Sequence, residues 1–440
     1  MASLTTDTIY ALSSGQVPAG IAVVRVSGSM VALIAKAILG SLPAPRKAVL
    51  TNFRNSGGTI IDRGLALYFP SPDSFTGEDC LEFHCHGSRA VVNELQRALA
   101  ENGNARQAYA GEFTQRAFRN GKIDLVEAEG LADLLSAETE MQRRLAMQQA
   151  SGEASDTYKD WAFRLTRYRA LLEAELDFAD EADVPGSVSA QIFPQLEDLV
   201  QSIGSHIEAS ASGALIRDGY HIVIAGKPNA GKSSLLNALA KRDIAIVSEQ
   251  AGTTRDVLSV DLDLDGFMVH ISDTAGLRQT DDSIEKEGVR RAINSIDEAD
   301  LVILLRDARE AQGYADIPIL KPTIRVANKL DLPDTTVETG EIGLSVRTGM
   351  GFDSLTKRIT ESIQLSTTSV IRPTAVRQRQ VDLLRKTKVA IGLALTEDRD
   401  SLEIIAEHLR QAGSFLGRLT GSVDTEDLLD VIFSEFCIGK

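Results

Sequence analysis

The stretch that most limits what this 440-residue chain can become is H-I-V-I-A-G-K-P-N-A-G-K-S, residues 221–233. A short apolar run stops at G-x-x-x-x-G-K-[ST], the pattern of a strand, a phosphate-cradling loop and a helix. In such a loop the glycines let backbone N–H groups wrap the phosphates, Lys232 reaches the β/γ oxygens and the Ser233 hydroxyl ligates Mg²⁺. Three more apolar runs follow, at 268–272, 301–305 and 323–327. Short, nearly all-apolar strands alternating with helical stretches predict a parallel sheet covered on both faces. Ligands then bind beyond the carboxyl ends of the strands. D-T-A-G (Asp273, Thr274, Ala275, Gly276) follows the second run and N-K-L-D (Asn328 to Asp331) the fourth. Asp273 can hold the Mg²⁺ shell, and the N–H of Gly276 can approach a γ-phosphate. The Asp331 carboxylate can accept from guanine N1–H and the 2-amino group, a donor pair that adenine lacks. Three motifs in this order, each at a strand end, specify a GTP site between about Tyr220 and Gln364.

Two details bear on its chemistry. G-T-T-R-D (252–256) lies where a first switch loop belongs, with Thr254 as the Mg²⁺-sensing hydroxyl. D-T-A-G is followed by Leu277, where Ras-like GTPases use a Gln to orient the attacking water. Hydrolysis therefore needs another water-positioning group and another positive charge, or the protein is a slow switch. Ser345-Val346 in G-L-S-V-R-T-G reads as the base-recognition loop.

On either side of this region the chain reads as helix, from Leu125 to Phe178 and from about Val376 to Phe436, with apolar residues at helical spacing. The simplest arrangement is one discontinuous α-helical domain into which the GTPase domain is inserted. Residues 1–120 read as α+β, with strands in I-A-V-V-R-V-S-G (21–28), L-A-L-Y-F (65–69) and C-L-E-F-H-C-H (80–86). The expected class is thus multidomain α+β and α/β. The divisions are 1–120, 121–215 (helical, first part), 216–372 (GTPase) and 373–440 (helical, second part). In 80–86, strict alternation puts Leu81, Phe83 and Cys85 on one face and Glu82, His84 and His86 on the other. The H-C-H triplet is therefore not a metal pattern, because its Cys points away from its His pair. Arg25 inside an apolar strand is either a satisfied structural Arg or a ligand contact.

Composition narrows the partners. A formal net charge of −16 argues against generic nucleic-acid binding, which draws on Lys and Arg, so an RNA role needs local patches or a partner. DNA is not an expected partner. No apolar run reaches the roughly 18 residues of a membrane span, and the first residues show no secretory or transit pattern. Three cysteines (Cys80, Cys85 and Cys437) are too few and too scattered for a disulfide framework, so a cytoplasmic setting is expected. The ending C-I-G-K, Cys437 to Lys440, sits where a prenylation box would lie. Gly439 and Lys440 do not suit one, and no polybasic stretch precedes them.

Taken together, S-F-T-G-E-D (74–79), G-E-F-T-x-R-A-F-x-N-G-K-x-D-L (111–125), G-K-P-N-A-G-K-S-S-L-L-N, G-T-T-R-D, D-T-A-G-L-R and the terminal C-I-G-K resemble the MnmE/TrmE family of tRNA modification GTPases, essentially end to end. The resemblance implies a dimerising, tetrahydrofolate-binding N-terminal domain, the discontinuous helical domain and the inserted GTPase domain. It implies a homodimer and a heterotetramer-type complex with a flavoprotein of the MnmG/GidA family, which carries the FAD. The pair would add an aminomethyl-type (carboxymethylaminomethyl) group at C5 of the wobble uridine of certain tRNAs, with a 5-formyl- or methylene-type tetrahydrofolate as carbon donor.

Carried over by position, the resemblance places Asn229, Ala230, Gly231, Lys232, Ser233 and Ser234 around the phosphates. Ser248, Glu249, Gln250, Ala251, Gly252, Thr253 and Thr254 lie over them, and Asp273 to Gly276 lie beside them. Asn328, Lys329, Asp331, Ser345 and Val346 hold the base. Mg²⁺ falls to Ser233 and Thr254, and K⁺, which replaces an arginine finger, to Asn229, Ser248, Gln250 and Thr253. Glu285 becomes the group that positions the attacking water. The folate residues are Arg25, Glu82, Lys122 and Lys440, and Cys437 serves the modification chemistry. A ribosome-assembly GTPase of the Era type shares G-T-T-R-D and D-T-A-G. It would need a basic RNA-binding module, and no such module is legible here.

Overall fold

A computed structural model describes residues 7–103, 105–177, 188–242, 244–246, 259–273, 293–310, 314, 320–367, 375–399, 401–423, 429, 432–433, 436 and 438–439. The chain divides into two compact units, residues 1–132, 155–162 and 414–440 in the first and residues 133–154 and 163–413 in the second.

The first unit is built on strands β1 (Thr8–Leu12), β2 (Ala19–Ser27), β3 (Val49–Arg54), β4 (Ile60–Phe69), β5 (Cys80–Gly87) and β6 (Ala105–Gln107). They form one sheet in the order β3-β4-β5-β2-β1-β6, in which only β1–β6 is parallel. Alternation assigns its faces. Val24, Val26, Leu81, Phe83, Ala66 and Phe53 point to one side and bury against Val31, Ile34, Ile38, Leu95 and Leu99. Those five come from helices α1 (Val31–Leu39) and α2 (Arg89–Gly103). Ile9, Ala11, Arg25, Glu82 and His84 belong to the other side, because Ala11 pairs with Arg25 and Arg25 with Glu82. Helix α3 (Glu112–Arg119) covers the β1 end of that side, where Ile9, Ala11, Ala108 and Phe113 form a small core. Farther along, Ile21, Leu50 and Leu65 are exposed.

The chain's end docks onto this same unit. Phe433 and Phe436 pack with Leu125 and Ala128 of α4 (Leu125–Ser136). Ile438 forms a β-bridge with Ala110. Gly439, with φ +100°, lies so close to the carbonyl of Leu12 that no Cβ fits. Leu12 is one residue beyond Ala11, the cross-strand partner of Arg25.

The second unit joins helices to a second sheet. Helices α5 (Glu140–Ala150), α6 (Glu153–Asp177, of which residues 155–162 count with the first unit) and α7 (Val188–Asp218) precede the sheet. Its strands are β7 (Tyr220–Gly226), β8 (Ser259–Leu264), β9 (Phe267–Asp273), β10 (Leu301–Asp307), β11 (Thr323–Asn328) and β12 (Ile342–Gly343), with α8 (Lys232–Leu239) after β7. Helices α9 (Phe352–Thr367), α10 (Gln378–Thr396) and α11 (Leu402–Thr420, of which residues 414–420 count with the first unit) follow. The strand order is β12-β11-β10-β7-β9-β8. All pairs are parallel except β8–β9, so the expected parallel sheet carries one antiparallel edge strand. That strand, S-V-D-L-D-L, alternates because only one side of an edge strand packs inward. Ile222, Ile224 and Ile303 face one core, and Val223, Ala225 and Val302 face another. This two-sided burial explains why these strands read as unbroken apolar runs.

The expected helix over 125–178 is in fact α4, α5 and α6. Thr139 opens α5 with a capping box closed by Gln142, and Gly152, with φ +89°, separates α5 from α6. The expected stretch over 376–436 likewise breaks between α10 and α11, after Glu397 leaves helical geometry. The last helix expected there lies largely outside the described residues. The chain's departure into the second sheet and its return are tied together. Asp133 Oδ1 accepts from Arg217 Nε at 3.1 Å and from Arg377 Nη2 at 2.8 Å. His206 of α7 accepts from the N–H of Ala375 at 3.0 Å, and burial holds its pKa down at about 4, so the ring is neutral.

Candidate functional site

The first site lies at the carboxyl ends of β7, β9, β10 and β11. Gly226, with φ +155°, ends β7 so close to the Leu305 carbonyl that a side chain is excluded. Gly231, with φ +101°, caps α8 and meets the Asn328 amide where a Cβ would stand. Between them Asn229 takes φ +65°, a left-handed conformation that Asn tolerates better than most residues. The turn aims the N-terminus of α8 into an open pocket of about 440 Å³ lined by Asn229, Gly231, Lys232, Ser233, Ser234 and Lys329. Unpaired N–H groups and the helix dipole make such a terminus a phosphate site. Lys232 is nearly buried, and its ammonium donates to the carbonyls of Gly226 (3.0 Å) and Lys227 (3.2 Å). Ser233 Oγ donates to Asp273 Oδ2 at 2.6 Å, so the P-loop hydroxyl and the D-T-A-G carboxylate stand together. Two hard oxygens beside a phosphate pocket fit Mg²⁺.

The base end is equally ordered. Asn328 Nδ2 donates to the Ala230 carbonyl at 3.0 Å, which fastens N-K-L-D to the P-loop, and its Oδ1 accepts from the Val346 N–H. Ser345 is fully buried, and its hydroxyl donates to Asp331 Oδ1 at 2.7 Å, lowering that carboxyl's pKa. Arg347 Nε lies 3.0 Å from Asp331 Oδ2. Lys329 takes φ +72°, and its ammonium donates to the Asn229 carbonyl (2.7 Å) and to Asp307 Oδ2 (2.8 Å). A non-Gly residue held in this region stores strain that its surroundings must impose, and these two bonds do so.

Asp307 was missed by motif reading. Hydrogen bonds from Arg309 first, and from Lys329, hold its carboxyl well below the usual carboxylate range despite burial. Its signal was present, since the apolar run 301–305 is the only one of the four without a motif after it, and it ends in Arg306-Asp307.

The second candidate site is on the open face of the first sheet. Arg25 Nε and Nη2 donate to Glu82 Oε1 at 3.0 and 2.9 Å, and His84 Nε2 lies 3.2 Å from Oε2. The Arg25 guanidinium also lies against the rings of Phe75 (5.4 Å) and Phe113 (5.8 Å). The loop carrying Phe75 is fastened from several sides. Thr76 and Ser27 share a hydrogen bond at 2.7 Å, and Ser27 Oγ donates to Glu78. Asn120 Nδ2 donates to the Thr76 carbonyl at 2.6 Å, and the Lys122 stem borders Gly77. Arg116 joins Glu78, Glu112 and the Asp7 side chain, which explains why S-F-T-G-E-D and G-E-F-T-x-R occur together. Arg25, Glu82 and Lys122 thus surround one loop, while His86 pairs with Asp62 instead. From the sequence, His84 is read only for its strand face and as part of a rejected metal pattern, and Phe75 is not singled out.

Several expected residues lie outside the described residues: Ser248, Glu249, Gln250, Ala251, Gly252, Thr253, Thr254, Thr274, Ala275, Gly276, Glu285, Cys437 and Lys440. Of the four expected K⁺ ligands only Asn229 is described.

Comparison with known proteins adds a separate line. The profile of the MnmE helical domain matches residues 125–437, and that of the GTP-binding protein TrmE N-terminus matches residues 8–122. A Rhizobium meliloti (strain 1021) protein named tRNA modification GTPase MnmE is 55% identical over 445 residues, covering 99% of this chain and 100% of its own. Proteins of the same name from Sinorhizobium medicae (strain WSM419) and Brucella anthropi are 54% and 51% identical, covering 99% of this chain and 99% and 98% of their own. Among solved structures, the G domain of the T. maritima FeoB iron transporter aligns with 33% of this chain and 99% of its own at 24% identity. Its TM-score of 0.25 is too low to carry weight.

Proposed function

Because the chain belongs to the MnmE/TrmE family of tRNA modification GTPases, we propose that it is a K⁺-dependent GTP hydrolase working as a homodimer with an MnmG/GidA-type flavoprotein. Together they place an aminomethyl-type, carboxymethylaminomethyl-like group on C5 of the wobble uridine of certain tRNAs. The observation that carries this reading is the presence of two unlike polar sites on one chain, one suited to phosphates and guanine and the other to a flat N–H-bearing ring.

At the first site Asp331, fixed by Ser345, reads the guanine donor pair, and the stem of Lys329 lies along the base. Lys232 leaves its two backbone carbonyls for the β/γ oxygens. Ser233 and Thr254 hold Mg²⁺, with Asp273 behind Ser233. With Leu277 in place of a Gln, the attacking water is oriented by Glu285, and Asn229, Ser248, Gln250 and Thr253 hold K⁺. That ion, when bound, supplies the positive charge that an arginine finger gives elsewhere.

At the second site the Glu82 carboxylate accepts from a pterin N–H and amino group, the same edge that Asp331 reads in guanine. Arg25 orients that carboxylate, and Lys122 and Lys440 meet the remaining polar groups. A tetrahydrofolate bound there supplies a one-carbon unit. The docking of Ile438 and Gly439 beside β1 supports placing Lys440 near this site and Cys437 in the modification chemistry. Exposed Ile21, Leu50 and Leu65 on the same face support dimerisation there, since an apolar sheet face invites a partner. The division at 1–120, 121–215, 216–372 and 373–440 draws support from Asp133, which clips the two ends of the insertion.

Reconstitution tests the whole. The purified chain, the flavoprotein, unmodified tRNA, GTP, Mg²⁺, KCl and methylene-tetrahydrofolate should yield the C5-modified wobble uridine. NaCl in place of KCl, or omission of folate, should prevent it. Product formed equally without this chain would contradict the reading.

A further inference from the structure

Phe75 is 37% exposed, yet its loop is among the most firmly anchored in the first unit. On one side Ser74 Oγ donates to the Glu78 carbonyl. On the other, Thr76 is fully buried, hydrogen-bonded to Ser27 through its hydroxyl and to Asn120 through its carbonyl. Gly77 follows at φ +77°, where a Cβ would stand 3.0 Å from Asn120 Cβ and 3.3 Å from Lys122 Cε. Glu78 is held by Arg116 and Ser27. The backbone at Phe75 is therefore fixed from both directions while its ring keeps a face in water. Most of the side chain is buried and contributes to packing, but the face left in water adds nothing to folding. The ring lies against the Arg25 guanidinium, 5.4 Å from its centroid, and Arg25 in turn holds the Glu82 carboxylate.

The structure thus sets an aromatic face, an acceptor carboxylate and the Lys122 stem around a single loop. We infer that Phe75 is the stacking face for a flat heterocycle, a 2-amino-4-oxo-pteridine, whose N–H and amino edge Glu82 reads; the inference rests on the folate reading of this site. The carboxylate selects the edge of the ring, and Phe75 supplies affinity through its π-face. Aromatic stacking on a flat base is sequence-tolerant, and its loss on truncation corresponds to roughly 5- to 100-fold in affinity.

The test is calorimetric titration of the full-length protein with 5-formyl-tetrahydrofolate, for wild type, Phe75→Leu, Phe75→Tyr and Glu82→Gln. Solution mass and thermal melting are measured alongside. Leu keeps the apolar bulk and removes the π-face, so Phe75→Leu should bind roughly 5- to 100-fold more weakly, with mass and melting as in wild type. Phe75→Tyr should stay within about twofold. Wild-type affinity in Phe75→Leu overturns the inference. So does a loss of dimer mass with affinity retained, which would make the ring an interface residue between copies. If Glu82→Gln binds folate as tightly as wild type, the folate reading of the site fails and the Phe75 assignment falls with it.

Discussion

In the nucleotide-binding sheet the reactive side chains stand on loops beyond the strand ends, whereas in the N-terminal sheet Arg25 and Glu82 stand in the middle of paired strands. The contrast follows from how each sheet is covered. Packed on both faces, β7 and β10 carry mostly apolar side chains, with Arg306 buried against Glu341 next to the end of β10, so the sheet's chemistry gathers where Gly226, Asp273, Asp307 and Asn328 end their strands. The N-terminal sheet has helices across one face and α3 over only part of the other. An ion pair between adjacent strands can therefore stay reachable. The first arrangement fixes a site through loop geometry and the second through strand register.

The largest expected effect concerns the rigidity behind the strand ends. Arg306 is fully buried against Glu341, itself hydrogen-bonded by Tyr314. Glu341→Ala leaves that buried guanidinium with backbone carbonyls as partners but no counter-charge, and should destabilise the second unit by about 3 to 5 kcal/mol, read by denaturant titration. Burial alone would raise the Glu341 carboxyl, but hydrogen bonds from Arg306 and Tyr314 more than offset this and hold it at about 2 against 4.5. The folded value being the lower, this stabilisation is complete above about pH 5. It is lost as pH falls from about 4.5 to about 2, a change of about 3 kcal/mol. Wild type should show that acid loss, and Glu341→Ala should lack it.

Next in size is Lys232→Ala. It removes the buried ammonium at the phosphates and should lower GTP turnover roughly 10²- to 10³-fold, with folate affinity within twofold. Glu82→Gln is the converse. Replacing a charged acceptor should weaken folate binding roughly 10- to 100-fold, while mant-GDP affinity, read by fluorescence, stays within twofold. If either variant moves both affinities, the two sites are not separable in the way the two sheets suggest. The smallest effect is expected at Asp133→Asn, where Arg217 and Arg377 lose a shared charge. A cost of about 1 kcal/mol, seen in the melting profile, would fit a clip that only closes the insertion.

The same contrast decides what could be read in advance. The nucleotide site is legible because its residues come in contiguous words, and a loop that bends around phosphates needs its glycines, Lys and Ser in one short run. Asp307 escaped because it works through Lys329 and follows no word of its own. The Arg25–Glu82 pair is separated by 57 positions, so only the β2–β5 register reveals it, although the alternation in C-L-E-F-H-C-H correctly placed Glu82 and His84 on one face. Phe75 could not be found by pattern, because it is an aromatic in a polar loop, and alternation gave His84 its face but not its contact with Glu82. Helix boundaries failed where a capping box at Thr139 and a left-handed Gly152 interrupt an otherwise continuous apolar periodicity.

The most direct test of the central claim, that this GTPase serves wobble-uridine modification through two separate sites, is nucleoside analysis of bulk tRNA from cells lacking the chain. Such cells would be complemented with wild type, Lys232→Ala or Glu82→Gln. The account predicts that the C5-modified wobble uridines vanish in the deletion strain, return with wild type, and stay absent or strongly reduced with either variant. Unchanged nucleosides in the deletion strain, with no second copy of the gene present, would contradict it.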